Sequence, residues 1–445
     1  MRMRTAAMVA ATTSLALALG ACSSSDNGDG GTSTEPTSGA TAGASEQAVA
    51  GDITVLTNRT DLVDTVFADY KTQFETMYPD VNVTFEAITD YEGEVATRMS
   101  TDDYGDVLLI PNSISPNDLP DFFEPLGSVE DLSKTYRFVG SEMTFDGTSY
   151  GIAITGNANG LVYNKKLWAD AGVTDMPTTS EEFQTDLQMI ADNSDAIPLY
   201  TNYADGWPLT QWETNRGGVT ANANAVNELA DTDTPWVEGS DHYVIDSLIF
   251  DAVAAGNTEP DPTTTNWEQS KADLGSGKIA TMALGSWAIV QMQEAADDAA
   301  NIGYMPFPAQ VDGKFHSVIS GDYKNAVNIH SKNKAAAKAW VMWFADESGY
   351  AADQGGISPR IDGPTPATLA DFDTAGVEYI ELTPAPAGKE SLVSDIDSES
   401  EIGLLNPEYR QKLVDAARGA RDESKQQLFD DLNSRWAAAR ASVEG

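Results

Sequence analysis

The sequence predicts an α/β protein of two lobes, each built on a mainly parallel sheet flanked by helices. Two observations carry that prediction. Residues 52–112 alternate strand, helix, strand, helix, strand, the rhythm of a parallel sheet. The chain also holds roughly 395 residues beyond a low-complexity N-terminal stretch, 41% of the whole is hydrophobic, and nine tryptophans are present, more than one core usually serves.

The N-terminal stretch comes first. Arg2 and Arg4 supply positive charge, and Thr5 to Ala21 is uncharged and rich in Ala, Leu and Met, so residues 1–21 read as an export signal. The run is too short for a permanent span, which needs about 20 strongly apolar residues. Leu19-Gly20-Ala21 then precedes Cys22, an order that resembles a bacterial lipoprotein box. In that reading residues 1–21 are a lipoprotein signal peptide and Cys22 carries lipid, which anchors the protein to the extracellular face of the cell membrane without spanning it. Cys22 is the only cysteine, so no disulfide and no thiolate metal site is available. Residues 22–50 are the lipidated Cys and a disordered Ser/Gly/Thr/Asp linker with too little apolar surface to offset ordering. As a flexible coil its mean reach is about 30 Å. The net charge of −43 repels nucleic acid and anionic headgroups.

Order begins at Asp52. Ile53, Val55 and Leu56 read as a buried strand, and Thr57 to Asp61 as the loop into a helix. Val63, Val66, Phe67, Tyr70, Phe74 and Met77 recur at spacings of three and four and give that helix one apolar face. Tyr78-Pro79-Asp80 ends it; Val81, Val83 and Phe85 alternate as the second strand, a helix follows over 93–100, and Asp106 to Ile110 is a third, short strand. Ligands of parallel sheets bind beyond the carboxyl ends of strands, which selects Asn58 to Asp61 and Asn112. Near the C-terminus, Asn406-Pro407 starts a helix, and Leu428, Leu432 and Trp436 line one face of another.

Three later segments resemble the bacterial extracellular solute-binding proteins of family 1, the carbohydrate class. "YGIAITGNANGLVYNKKLWADAGVTDMPTTSEEF" (150–183) is similar to the family's Tyr-Gly-Ile strand, Tyr-Asn-Lys-x-Leu-Trp turn and Pro-x-Thr-x-x-Glu-Phe helix start. "LGSGKIATMALGSW" (274–287) is similar to its Gly-Lys-x-Ala-Met strand ending in Gly-Ser-Trp, and "SGDYKNAVNIHSKNKAAAKAWVMWFADE" (320–347) to its crossing strand and following helix. The family usually has Pro soon after Tyr-Gly-Ile, and Ala153 to Asn157 replaces it here. The resemblance implies a two-lobed periplasmic-binding-protein-like fold of type II, joined by crossing hinge strands, with 51–155 and 316–362 in the N-terminal lobe and 156–315 and 363–445 in the C-terminal lobe. It further implies a substrate-binding lipoprotein of an ABC importer, a monomer that takes a carbohydrate between its lobes and delivers it to membrane permease subunits.

A pyranose offers C–H faces and a rim of hydroxyls, so its site needs aromatic surfaces beside carboxylates and amides. Trp207 sits between Gly206 and Pro208 in a loop context, with Trp212 five residues on; the resemblance puts a pocket aromatic at Trp287. Trp236 and Trp267 lie in polar loops, whereas Trp168, Trp340, Trp343 and Trp436 fall on helical spacing and read as core. The polar candidates are Arg59, Asp61, Asn112, Asp322 beside Gly321, and Asp395 in a loop. Strand-end capping and simple surface charge are their alternatives.

Signatures of catalysis are scarce. His242, His316 and His330 lack metal-ligand spacing, so no metal and no cofactor is expected. Gly275 to Ile279 is similar to a phosphate loop but lacks its first glycine and its final Ser or Thr. The expectation is therefore a binding protein and not an enzyme; a secreted glycoside hydrolase with two facing carboxylates, or a binder of peptide or polyamine, are the rival readings.

Overall fold

The computed structural model describes residues 48–140 and 142–444. The lipoprotein box, Cys22 and nearly all of the linker lie outside the described residues. Among them, no helix is long and apolar enough to cross a membrane.

The first sheet forms from β1 (Gly51–Thr57), β2 (Val81–Ala87) and β3 (Val107–Leu109), with β1 pairing in parallel to both neighbours. The intervening helices span Val66–Met77 and Tyr91–Arg98. Their spacing of apolar residues works as expected: Phe67, Tyr70 and Phe74 face inward, while Met77, at the fraying end, is exposed. A β-strand then crosses out of this lobe. Ile152–Ala153 (β4) still belongs to the first sheet, and Gly156–Asn164 (β5) is the central strand of the second.

Around β5 stand β6 (Thr281–Gly285), β7 (Ile302–Met305) and β8 (Lys314–Gly321). From β8 the chain crosses back as β9 (Lys324–Val327), which pairs with β3 and β4 in the first sheet. Helices Lys334–Asp346 and Tyr350–Asp353 cover that sheet, with Trp340, Trp343 and Phe344 packed on Phe74, Phe85 and Tyr70. A third crossing follows at Ile357, which exchanges two backbone hydrogen bonds with Gly156 at 2.7 and 2.8 Å. Beyond it, Glu378–Ile380 (β10) pairs in parallel with β8, and the helices Pro407–Ala417 and Lys425–Glu444 close the second lobe, with Trp436 fully buried.

Strand direction departs from expectation. The mainly parallel sheet expected of each lobe holds for β2, β1 and β3, but β5 runs antiparallel to β6, β7 and β8. For β8 the cause is the crossing itself: β5 leads the chain out of the first lobe and β8 leads it back alongside, so the two run in opposite directions. Parallel pairing in this region survives as the bridges Ile197–Ile279 and Leu199–Thr258.

The crossings are packed around one side chain from the first lobe. Phe138, at φ 68° and 2% exposed, joins the core of β5, β6 and β7 and lies against Gly156 and Ile357. A bulky residue at positive φ is uncommon. Neighbouring bonds hold it there: its N–H donates to Glu381 (3.1 Å), and the Arg137 N–H donates to the Pro359 carbonyl (2.7 Å).

Candidate functional site

Three loops of the second lobe bring three indoles together. Gly206, at φ 75°, turns the chain into the short helix Trp207–Thr210; Asn266 caps the helix Trp267–Gly275; and Trp287 follows Ser286 at the end of β6. The Asp205 carboxylate accepts from the Trp267 backbone N–H at 2.8 Å and so ties two of the loops. Ring centroids lie 4.9 Å apart for Trp207–Trp267 and 5.8 Å for both pairs with Trp287. A ring inserted between two others needs them about 7–8 Å apart, twice the usual carbon contact. The indoles therefore form one aromatic surface and no slot. Each is part-exposed, and the Trp287 Nε1–H points to Gln211 Oε1 at 3.4 Å.

The first lobe supplies polar groups. Arg59, just beyond β1, donates to both oxygens of Asp61 at 2.9 and 2.7 Å, to the Tyr350 hydroxyl at 3.0 Å, and to Gln354. Burial alone would lower the Arg59 pKa; Asp61 and Tyr350 outweigh it and raise it. The same guanidinium holds the Asp61 carboxyl below its ordinary value. Beyond β3, Asn112 donates from its backbone N–H and its side-chain Nδ2 to Glu92, each at 3.0 Å. Glu92 also accepts from the Tyr323 hydroxyl at 2.6 Å. Burial, then Glu92, push the Tyr323 phenol up, so its proton stays in place. Asp322 Oδ2 accepts from Asn157 Nδ2 at 3.4 Å, joining the second crossing to the first.

The two sets meet at the crossings. Asn157 Oδ1 accepts from Ser286, the residue before Trp287, at 3.5 Å. Gly355, directly after the Arg59 partner Gln354, passes so close to the helix following Trp287 that a Cβ there would lie 3.0 Å from Val290 Cγ2. Trp207, Trp287, Arg59, Asp61, Asn112 and Asp322 are thus linked to one region through short chains of contacts.

Two predicted residues are placed elsewhere. Trp212 is 1% exposed and packs on Phe307 inside the second lobe. The 3₁₀ turn Gln211–Asn215 rolls it inward together with Glu213, whose carboxylate takes Arg410 (2.7 Å), Arg216 (2.6 Å) and His242 (3.0 Å). Arg410 also donates to buried Asp246 at 3.0 Å. Burial would raise the Glu213 carboxyl, but His242, Arg216 and Arg410 win and hold it well below the usual range. Trp236 closes the same network, its N–H shared between Asp246 and Tyr409 at 2.8 Å each, and is core. Asp395 stands exposed on a helix (Leu392–Ser400) and not in a loop; its carboxylate accepts from Ser391, and the helix packs on Lys425–Glu444.

The structure also brings Trp267, Glu92, Tyr323, Asn157, Tyr350 and Gln354 into this region, none of which the sequence singled out as a site residue. The proximity of Tyr323 to Asp322 was a usable signal; Gln354 carried none. Among the described residues, no group of three or more His, Cys, Asp or Glu side chains is arranged to hold a metal ion.

Comparison with known proteins follows the same lines. The model of the bacterial extracellular solute-binding protein family matches residues 58–351. The chain is similar to the binding protein of an ABC transporter from Bifidobacterium animalis subsp. lactis solved with mannobiose: 34% identity, TM-score 0.79, covering 88% of this chain and 95% of that one. A manno-oligosaccharide specific solute binding protein from the same organism, solved with mannotriose, gives 33% identity and TM-score 0.80 over 90% and 96% of the two chains. The diacetylchitobiose binding protein of Streptomyces coelicolor is 24% identical over 277 residues, 60% of this chain and 63% of that relative. A multiple sugar-binding protein of Streptococcus mutans is matched over 66% of its length, so the alignment spans about two thirds of each of these curated relatives. With two lobes joined by three crossings and a family match over more than half of its length, the chain belongs to the bacterial extracellular solute-binding proteins.

Proposed function

We propose that the protein is the substrate-binding subunit of an ABC importer and captures an oligosaccharide, with manno-oligosaccharides the first class to test. One arrangement carries the reading: an aromatic surface of three tryptophans on one lobe and hydroxyl-binding groups on the other, both reached through the crossings. The indoles stack on the C–H faces of the sugar, while Arg59, Asn112 and Asp322 address its rim. Sugar favours closure only through the contacts it gains in the closed state. No bond in it is broken; the closed monomer presents it to the permease. The complexes of the Bifidobacterium relatives with mannobiose and mannotriose support the choice of sugar class.

The anchor completes the proposal. Lipid at Cys22 holds the body on the extracellular face of the membrane, and residues 23–50 give it the reach to meet its permease.

The test is calorimetry and thermal shift with mannobiose, mannotriose and diacetylchitobiose, with the mixtures then analysed for products. Binding without products is expected. New sugars in the mixture would make the protein a hydrolase and end this reading.

A further inference from the structure

Glu92 is the second residue of its helix, and its carboxylate takes three donors from two segments of the chain. Oε2 accepts from the Asn112 backbone N–H (3.0 Å), and Oε1 from Asn112 Nδ2 (3.0 Å) and the Tyr323 hydroxyl (2.6 Å). Two consequences follow from donor and acceptor identity alone. Tying Nδ2 to Glu92 turns the Asn112 amide oxygen the other way, and that oxygen accepts no bond among the described residues, on a side chain that is exposed. A free, oriented acceptor suits a hydroxyl donor. Glu92 also joins two segments distant in sequence, the loop after β3 and the second crossing, where Tyr323 packs edge-on against Tyr91 at 5.9 Å.

From Tyr323 the chain continues. The Tyr323 N–H donates to Asp322 Oδ1 (2.8 Å), Asp322 Oδ2 accepts from Asn157, and Asn157 accepts from Ser286, the neighbour of Trp287. The polar wall of the first lobe is thereby connected, bond by bond, to the segment that carries the aromatic surface of the second.

We propose that Glu92 is a positioning residue: it fixes Asn112 so that its amide oxygen accepts a sugar hydroxyl, and links that grip to the second crossing through Tyr323. The inference rests on the sugar-capture reading above. Glu92 itself need not touch the sugar, since its carboxylate is already committed to three donors.

The test is a double-mutant cycle in mannotriose affinity, read by calorimetry on the wild type, Asn112→Ala, Glu92→Ala and the double variant, with Glu92→Gln alongside. Asn112→Ala and Glu92→Ala should each weaken binding by about ten-fold, the loss expected when one hydrogen bond to the ligand is removed or misdirected. The double variant should bind no more weakly than Asn112→Ala alone, because Glu92 acts through Asn112. Glu92→Gln should fall between, because its one carbonyl oxygen can still accept from Nδ2 while its amide NH2 opposes the Asn112 N–H. A purely structural role would lower melting temperature and leave the two losses additive. Wild-type affinity in Glu92→Ala or in Asn112→Ala, or additive losses in the double variant, would overturn the proposal while leaving sugar capture intact. A wild type that binds none of the three sugars would overturn both.

Discussion

Gly156→Ala tests whether the crossings are packed as rigidly as they look. A Cβ at Gly156 would lie 2.5 and 2.6 Å from two ring carbons of Phe138 and 3.3 Å from Ile357 Cβ. Ordinary carbon contact is about 3.5–4.0 Å, so the ring must retreat by about 1 Å. Neither side is free to yield. Phe138 is buried and held by Glu381 and by its neighbour's bond to Pro359, and Gly156 is pinned to Ile357 by two hydrogen bonds. Overpacking of this kind costs about 1–3 kcal/mol. Gly156 is not at positive φ, so alanine returns about 0.4–1 kcal/mol by restricting the unfolded chain. The net loss is about 1–2 kcal/mol, read as a lower urea midpoint at unchanged slope by circular dichroism. Phe138→Ala alone costs about 3–5 kcal/mol. Adding Gly156→Ala to it should cost nothing further, because the clash is gone. A wild-type midpoint for Gly156→Ala, or additive losses in the double variant, would refute the packing argument.

Trp207→Ala and Trp287→Ala should each weaken sugar binding by about 1 kcal/mol or more with the fold intact, whereas Trp212→Ala should cost about 3–5 kcal/mol of stability; unchanged affinity in both of the first two would mean the cleft is elsewhere. Glu213→Gln should destabilise the protein at neutral pH by about 3–5 kcal/mol, since it leaves Arg410 and Arg216 short of a partner. The Glu213 pKa is lower in the folded chain than its ordinary 4.5, so its contribution is complete above about pH 4.5 and fades as pH falls toward the folded value. Urea midpoints of wild type and variant should therefore converge on acidification, and a constant gap would contradict the assignment. Cys22→Ser should release the protein from the membrane fraction with sugar binding unchanged; retention on the membrane would overturn the lipoprotein reading.

What could be read from the sequence was local. The helix and strand periods of 52–112 are written in neighbouring residues, and Phe67, Tyr70 and Phe74 face inward because their spacing dictates it. Direction in the second sheet was not readable, because β5 pairs with strands more than 100 residues further along the chain. Trp212 shows a different failure. Five residues after Trp207 on a helical path is a turn of about 140°, so the two indoles could not both face one cleft, and treating the segment as an open loop hid that. Glu92 was invisible for a third reason: Tyr323 lies 231 positions away, and only the closed topology of β3, β4 and β9 brings them together.

The distribution of indoles has a practical consequence. Three of the nine tryptophans form the part-exposed aromatic surface, and the other six, Trp168, Trp212, Trp236, Trp340, Trp343 and Trp436, are all buried. The clustered three are the indoles open to solvent, so a ligand that displaces water from their faces would change their emission, while the buried six stay shielded from that change. On the proposed function, tryptophan emission would therefore read out sugar capture without any added label.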